Sequence, residues 1–223
     1  MKPFFGDVKA ADWRRPDGLL HVYVLPPPEV LAMADAYQQL MKPHHETGLV
    51  SLQPRAFLHY TVQLIDRHVT EITDDQLAAL KSALDAEAGP VEPFELTAVH
   101  GVVGVHGVTI YTEPPTPLFT ALNQRVRAAV AEALGPDAVP EQQYAPVPHL
   151  SAGYGLADAD SDPLIRAVNG YRPTPVTLTV DQVHLLAVDQ DRAAGTFSWK
   201  ALHTVDLTGR RDLVHDETAG TAR

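Results

Sequence analysis

The chain has 223 residues, 45% of them hydrophobic, a formal net charge of −11 and no cysteine. The lack of cysteine excludes a disulfide framework, a thiolate nucleophile and a cysteine-ligated metal. The acidic balance argues against a broad surface for duplex DNA or long RNA, whereas a single phosphate would need only a few local donors.

The first half of the chain is predicted to alternate strands with helices. After a lead of about 18 residues, LLHVYVL has the composition of a strand and PPPEVLAMADAYQQLM has apolar residues at helical spacing. MKPHHETG interrupts the helical pattern, and AFLHYTVQLI follows as a second strand. The next segment, TDDQLAALKSALDAEAG, begins with a capping box between Thr73 and Gln76 and is predicted to be a helix.

The second half continues the alternation and closes with strands. PFELTAVHGVVGVHGVTIYTE predicts two strands joined by a glycine-containing turn. TPLFTALNQRVRAAVAEALGP predicts a helix with Thr116 as N-cap, Pro117 in the first turn and Gly135 as terminator. PHLSAGYG predicts a short strand and DPLIRAVNG another helix. PVTLTVDQVHLLAVD and TFSWKALHTVDL predict two closing strands.

These elements predict a single α+β domain. Adjacent strands joined by short turns imply antiparallel pairing, with helices on the outer faces of the sheets. We predict an N-terminal lead over residues 1–18, one domain over residues 19–207 and a polar C-terminal tail over residues 208–223. Neither a secretory leader nor a run of about 18 apolar residues is visible, so the sequence predicts a cytoplasmic protein without a membrane partner.

The strand AFLHYTVQLI places an imidazole and a hydroxyl on one face. Side chains alternate between the two faces of a strand, so residues two apart point the same way. One face is apolar and is predicted to meet the core: Leu58, Tyr60, Val62 and Leu64. The other face carries His59 and Thr61, flanked by Phe57 and Gln63. These two side chains either line a ligand pocket or simply pack against neighbours, and the sequence favours neither.

A second segment, PVPHLSAGYG, repeats this arrangement with His149 and Ser151. Two such strands brought together would direct two imidazoles and two hydroxyls into one cavity. A neutral imidazole can accept a proton while a protonated one donates a proton, and the hydroxyls can hold phosphate oxygens. The set therefore suits phosphodiester chemistry without a metal.

The same three-residue pattern also occurs at His45 and His68, so the pattern alone is weak evidence. His45 lies in a segment bounded by proline and glycine, and His68 lies where a strand is ending. Only His59 and His149 lie within apolar strands. The ordinary alternative for each of them is a buried or surface histidine that hydrogen-bonds a neighbour.

Other polar residues have simpler interpretations. His100 and His106 flank a glycine-rich turn and could bind a metal, but neither an HExxH spacing nor a set of carboxylates accompanies them. His184 and His203 fall in predicted strands, where a core or edge position is expected. Three residues of the lead could form a lid over a pocket, although a surface position is the simpler expectation: Trp13, Arg14 and Arg15.

The motifs HYT at 59–61 and HLS at 149–151 resemble the paired H-x-T/S signatures of the 2H phosphoesterase superfamily. That superfamily includes the 2′-5′ RNA ligases and the cyclic phosphodiesterases. The resemblance extends over residues 19–207. It implies a two-lobed fold in which antiparallel sheets backed by helices surround a central groove, with the two motifs facing each other across the groove.

The resemblance also implies roles for the motif residues. His59 and His149 would be the general acid and base, in an order that the sequence leaves open, and Thr61 and Ser151 would bind the phosphate. The implied substrate is a 2′,3′-cyclic phosphate, on a small nucleotide or an RNA end, opened without a cofactor. Two alternatives remain open, a 2′-5′ RNA ligase and a non-catalytic RNA- or nucleotide-binding module that uses the same groove. The acidic charge favours hydrolysis, because ligation must grip a longer RNA.

Overall fold

Strands and helices alternate along most of the chain. The computed structural model describes residues 1–6, 12–114, 116–142 and 144–209. Its strands are β1 (Leu19–Val24), β2 (Tyr60–His68), β3 (Phe94–Gly104), β4 (Gly107–Thr112), β5 (His149–Tyr154), β6 (Val176–Val180), β7 (Gln182–Asp191) and β8 (Thr196–Asp206). Its α-helices are α1 (Pro28–Glu46), α2 (Asp74–Ala88), α3 (Pro117–Leu134) and α4 (Asp162–Gly170).

All eight strands belong to one antiparallel sheet in the order β6-β3-β4-β5-β2-β1-β7-β8. Helices α2 and α3 pack on each other and on the half that ends in β8, whereas α1 and α4 pack on the half that ends in β6. The main hydrophobic core lies between the sheet and these helices. The predicted α+β class with two lobes is therefore confirmed.

The helices form where apolar residues recur at helical spacing. In both α1 and α3 the predicted apolar stripe is fully buried. The capping box predicted at the start of α2 is confirmed, because Thr73 Oγ1 accepts from the Gln76 backbone and Gln76 Oε1 accepts from the Thr73 backbone. The stripes comprise Val30, Ala34, Tyr37 and Met41 in α1 and Phe119, Leu122, Val126 and Val130 in α3.

Helix α1 is longer than the sequence predicts. It continues through Pro43 to Glu46, so most of the segment MKPHHETG, which is predicted to end the helix, is helical. The backbone N–H groups of Gly48 and Leu49 donate to the carbonyls of His45 and His44, and these bonds satisfy the helix end. His45 consequently belongs to a helix rather than to a loop.

The predicted strand PVTLTVDQVHLLAVD is two strands with Asp181 between them. β6 pairs with β3, whereas β7 pairs with β1 and β8 in the other half of the sheet. In a flat sheet, six strand spacings would separate β6 from β7 by about 29 Å. Two residues of chain span about 7 Å at most, so the sheet must curl until these strands approach each other. The curl produces a concave face.

Alternate residues of the strands divide between two apolar clusters. Val22 and Val24 of β1 belong to the main core, whereas Tyr23 belongs to a second cluster. This second cluster, the concave cluster, comprises Tyr23, Tyr154, Leu186, Val188 and Phe197. Four further aromatic residues pack against it: Phe4, Phe5, Trp13 and Trp199.

The described parts of the N-terminal lead pack on the sheet. Phe4 and Phe5 contact the concave cluster. Residues 210–223, most of the predicted tail, lie outside the described residues, and the predicted domain limits at residues 19 and 207 stay a prediction. None of the helices in the described ranges is long and apolar enough to cross a membrane.

Candidate active site

The strands that carry the two histidine motifs are neighbours at the centre of the sheet. β2 and β5 pair antiparallel at the middle residue of each motif, Tyr60 with Leu150. This antiparallel register places each motif histidine alongside the hydroxyl of the other motif: His59 with Ser151 and Thr61 with His149. Two imidazoles and two hydroxyls are thereby brought to one region of the sheet, between its two halves.

A β-bulge follows the hydroxyl residue in each motif. On β2, Val62 is the extra residue between the pairs that Thr61 and Gln63 make with β1. On β5, Ala152 is the extra residue between the pairs that Ser151 and Gly153 make with β4. A bulge inserts one residue and bends the strand, so the residues beyond it exchange faces. The two halves of the site thus share the same local irregularity.

The bulge at Val62 overturns the prediction for Gln63. Its side chain is buried against α3, where Asn123 Nδ2 donates to Gln63 Oε1 at 3.0 Å and Arg127 Nη1 donates to the same oxygen at 3.2 Å. The expectation that Gln63 lines the pocket beside His59 is therefore wrong, because strict alternation ends at the bulge. For the same reason Ile65, rather than Leu64, is fully buried in the core.

His59 lies in an aromatic environment that shields most of its surface from solvent. Its ring stacks on Tyr23, with the ring centroids 4.0 Å apart and the planes 10° apart, and Trp199 meets it edge-on at 5.3 Å. Its Nδ1 lies 3.0 Å from the Phe57 carbonyl oxygen, which can only accept, so Nδ1 carries the proton and Nε2 offers the lone pair.

The charge state of His59 follows from this burial. Only 9% of the residue is exposed, and burial lowers the pKa of His59 to about 4. The Phe57 carbonyl opposes that shift, and the neighbouring His149 adds to it. His59 is therefore a neutral imidazole at pH 7.

His149 makes the matching backbone contact but is exposed. Its Nδ1 lies 2.8 Å from the carbonyl oxygen of Val147, two residues earlier, as His59 lies near Phe57. The ring of Tyr111, the partner of His149 on β4, lies beside it at a centroid distance of 6.1 Å. Both motif histidines thus use Nδ1 to fix the ring and leave Nε2 for another group.

Each motif hydroxyl interacts with a buried tyrosine. Tyr23 lies opposite Thr61 in the pairing of β1 with β2, and Thr61 lowers the pKa of the Tyr23 phenol. Ser151 lowers the pKa of the Tyr154 phenol in the same way. Burial raises the pKa of both tyrosines, so both remain protonated at neutral pH. Neither tyrosine follows from the histidine motifs in the sequence. The available signal was the closeness of Tyr154 to Ser151 along the chain, whereas Tyr23 lies on a different strand from Thr61.

The other predicted site residues lie near His59 or in the concave cluster. Phe57 is half-buried and meets Trp199 edge-on at 4.9 Å, next to His59. Trp13 packs on Phe197 at 5.6 Å, so the surface position expected for Trp13 is wrong, because the concave face offers this ring an apolar contact. The two arginines of the lead are exposed as expected, with Arg14 paired to Asp66 and Glu71 and Arg15 bonded to Thr70.

Three other described histidines have structural contacts. His184 bonds with Thr204 and His203 with Asp85, whereas His106 Nδ1 lies 3.2 Å from the carbonyl of Pro3. Within the described ranges, no group of three or more histidine, aspartate or glutamate side chains has the arrangement of a metal site.

The curled antiparallel sheet, with a histidine and a hydroxyl from each half at its centre, has the architecture of the two-lobed 2H phosphoesterases. Comparison with known proteins agrees with this class. The model of the 2′-5′ RNA ligase superfamily matches residues 26–192, and the chain belongs to that family.

Curated relatives and solved structures support the same assignment. A protein of Bacillus cereus strain G9842, whose name assigns it provisionally to the phosphoesterases, is 33% identical over 147 residues, which are 60% of this chain and 77% of the relative. The fold is similar to that of the protein TT0787 of Thermus thermophilus, with a TM-score of 0.61 and 23% identity over 86% of this chain and 98% of that chain. It is also similar to Escherichia coli LigT complexed with 3′-AMP, with a TM-score of 0.58 and 16% identity over 86% of this chain and 99% of that chain.

Proposed function

We propose that this protein is a metal-independent phosphodiesterase that opens 2′,3′-cyclic phosphates of a nucleotide or an RNA end. The observation that carries the proposal is the pairing of Tyr60 with Leu150, which brings both histidine motifs together. The family supports a phosphoesterase of this general type. The substrate, the mechanism and the residue roles that follow are part of the proposal.

In the proposed reaction, a water molecule attacks the phosphorus while a base removes its proton. The bond from phosphorus to one ribose oxygen breaks, and an acid protonates that oxygen, which leaves a phosphomonoester and a free hydroxyl. The base must be neutral before the reaction, and the buried His59 meets this requirement because its pKa is lowered. The exposed His149 contacts solvent, from which it can regain a proton, and this favours His149 as the acid.

Thr61 and Ser151 supply donors for the phosphate oxygens. Negative charge accumulates on the non-bridging oxygens in the transition state, and pre-placed donors stabilise it without having to reorganise. The antiparallel register places one hydroxyl beside each histidine, so a phosphate between the imidazoles would meet a donor on either side. Phe57, beside His59, would contact the rest of the nucleotide.

The test is turnover of a panel of nucleoside 2′,3′-cyclic phosphates. We expect His59→Ala and His149→Ala each to lower kcat by at least about 100-fold, because each removes a proton-transfer step. His100→Ala serves as the matched control, since His100 is an exposed histidine of β3. Full activity in either motif variant would refute the proposal, and loss of activity on adding a chelator would point to metal catalysis. Joining of RNA ends without hydrolysis would favour ligation, and binding without any product would favour a non-catalytic module.

A further inference from the structure

We propose that Tyr23 is a positioning residue that holds both members of the first motif, His59 through its ring and Thr61 through its hydroxyl. This inference rests on the proposed function. Tyr23 belongs to β1, far from both motifs in sequence, and only the pairing of β1 with β2 brings it opposite Thr61.

The ring of Tyr23 restrains the imidazole of His59. Two rings 4.0 Å apart and nearly parallel leave no room for the imidazole to rotate towards β1. Tyr23 itself is immobilised, since it is 2% exposed and packs against Trp199 at 5.5 Å and His21 at 5.1 Å. The contact between Nδ1 of His59 and the Phe57 carbonyl fixes the remaining rotation of the imidazole. Nε2 of His59 is therefore held in one direction.

The hydroxyl of Tyr23 orients the hydroxyl of Thr61. A threonine hydroxyl has one proton to donate and two lone pairs that can accept. If the Tyr23 phenol donates to Thr61 Oγ1, the threonine proton remains available for a phosphate oxygen. Most buried phenols have a hydrogen-bond partner, and Thr61 is the residue that lies opposite Tyr23 on β2.

Tyr60 provides a matched control. It is also a fully buried tyrosine, it lies between His59 and Thr61 in the chain, and its side chain belongs to the main core. Among the described residues, the Tyr60 hydroxyl has no hydrogen-bond partner. Tyr23→Phe and Tyr60→Phe remove the same atom from the two sides of one sheet, so their comparison separates a role in the site from a general effect of the substitution.

The experiment measures kcat and KM for a nucleoside 2′,3′-cyclic phosphate in four variants: Tyr23→Phe, Tyr60→Phe, Thr61→Val and the double variant Tyr23→Phe/Thr61→Val. We expect Tyr23→Phe to lower kcat about three- to tenfold, the range of one hydrogen bond, and Tyr60→Phe to leave it unchanged. If Tyr23 acts through Thr61, adding Tyr23→Phe to Thr61→Val causes no further loss. Urea unfolding of each variant checks that the fold is retained.

A pH profile tests the contact with His59. Tyr23→Leu uncovers one face of the imidazole, which lessens the burial that lowers its pKa, so the acid limb of kcat/KM should move towards the ordinary histidine value of about 6.5. Tyr23→Phe keeps the ring and should keep the limb in place.

Three outcomes would overturn the inference. They are full activity of Tyr23→Phe, losses in the double variant that simply multiply, and an acid limb that Tyr23→Leu leaves unmoved. Failure of the proposed function has a different signature, because the unmodified chain would then lack turnover or His59→Ala would retain it. In that case the role of Tyr23 falls with the function on which it rests.

Discussion

His59 and His149 make the same contact with the backbone and yet lie in different environments. Each directs Nδ1 to the carbonyl two residues earlier, which fixes the tautomer of the neutral ring. His59 is stacked and buried, whereas His149 is exposed. Two similar motifs therefore place one imidazole in a buried site and the other in an exposed one, an asymmetry that suits a reaction with one base and one acid.

The pH dependence of the reaction should report this difference. If His59 is the base, protonation of His59 should not affect kcat/KM for a cyclic phosphate above about pH 5. Below the pKa of about 4, kcat/KM should fall tenfold per pH unit. The measurement is kcat/KM from pH 3.5 to 8, with enzyme from each acidic sample assayed again at pH 7 to exclude unfolding. An acid limb near the ordinary histidine pKa of about 6.5 would show that the base is not a buried imidazole.

At the scale of the elements, the bulges on β2 and β5 decide which residues reach the site. Each bulge comes directly after the motif hydroxyl, so the histidine and hydroxyl share one face and the following residues change faces. On β2 this change turns Gln63 towards α3, where its oxygen accepts from Asn123 and Arg127. Gln63 therefore belongs to the interface between β2 and α3.

Substitution of Gln63 should consequently affect stability more than catalysis. Gln63→Ala leaves the buried Nδ2 of Asn123 with one bond fewer, and we expect the free energy of unfolding to fall by about 1–3 kcal/mol. Asn123→Ala removes the same bond from the other side and serves as the matched variant. Urea unfolding measures both effects. A raised KM for Gln63→Ala with unchanged stability would instead place Gln63 in the substrate pocket.

At the scale of the whole molecule, the lead contacts both halves of the sheet. The N-terminal amine donates to the carbonyl of Ala159 at 2.6 Å, and Phe4 N donates to Gly155 O at 2.9 Å, beyond β5. At the other end of the lead, the Asp17 carbonyl accepts from His68 Nδ1 at 2.6 Å on β2. The described parts of the lead thus contact both halves of the sheet that supply the motifs. Packing of the lead therefore supports the arrangement of the two halves around the site.

Acid should destabilise the folded protein, because two of its histidines are buried in the neutral form. Burial lowers the pKa of His21 to about 3 and that of His59 to about 4, both below the unfolded value of about 6.5. Between these values the unfolded chain therefore binds more protons than the folded chain. The contribution of the two histidines to stability is complete above pH 6.5 and is lost as the pH falls towards 3.

The expected slope is about 1.4 kcal/mol per pH unit for each such histidine within its window. Urea unfolding from pH 4 to 7 measures this slope. His21→Asn keeps a donor near the Leu19 carbonyl without the titration, so it should flatten the dependence, whereas His44→Asn on α1 should not. The same slope in His21→Asn as in the unmodified chain would contradict this account.

The sequence by itself determined the positions of the helices, apart from the end of α1, and of most strands, because these depend on local periodicity and capping. It also determined the family. Only the tertiary structure decided the division of one apolar run into β6 and β7, since Asp181 carries no strong turn signal and the break depends on which lobe each half joins. Likewise, the bulge at Val62 and the contacts of Tyr23 depend on how β1 pairs with β2, and pairing between strands distant in the chain leaves no mark on either strand alone.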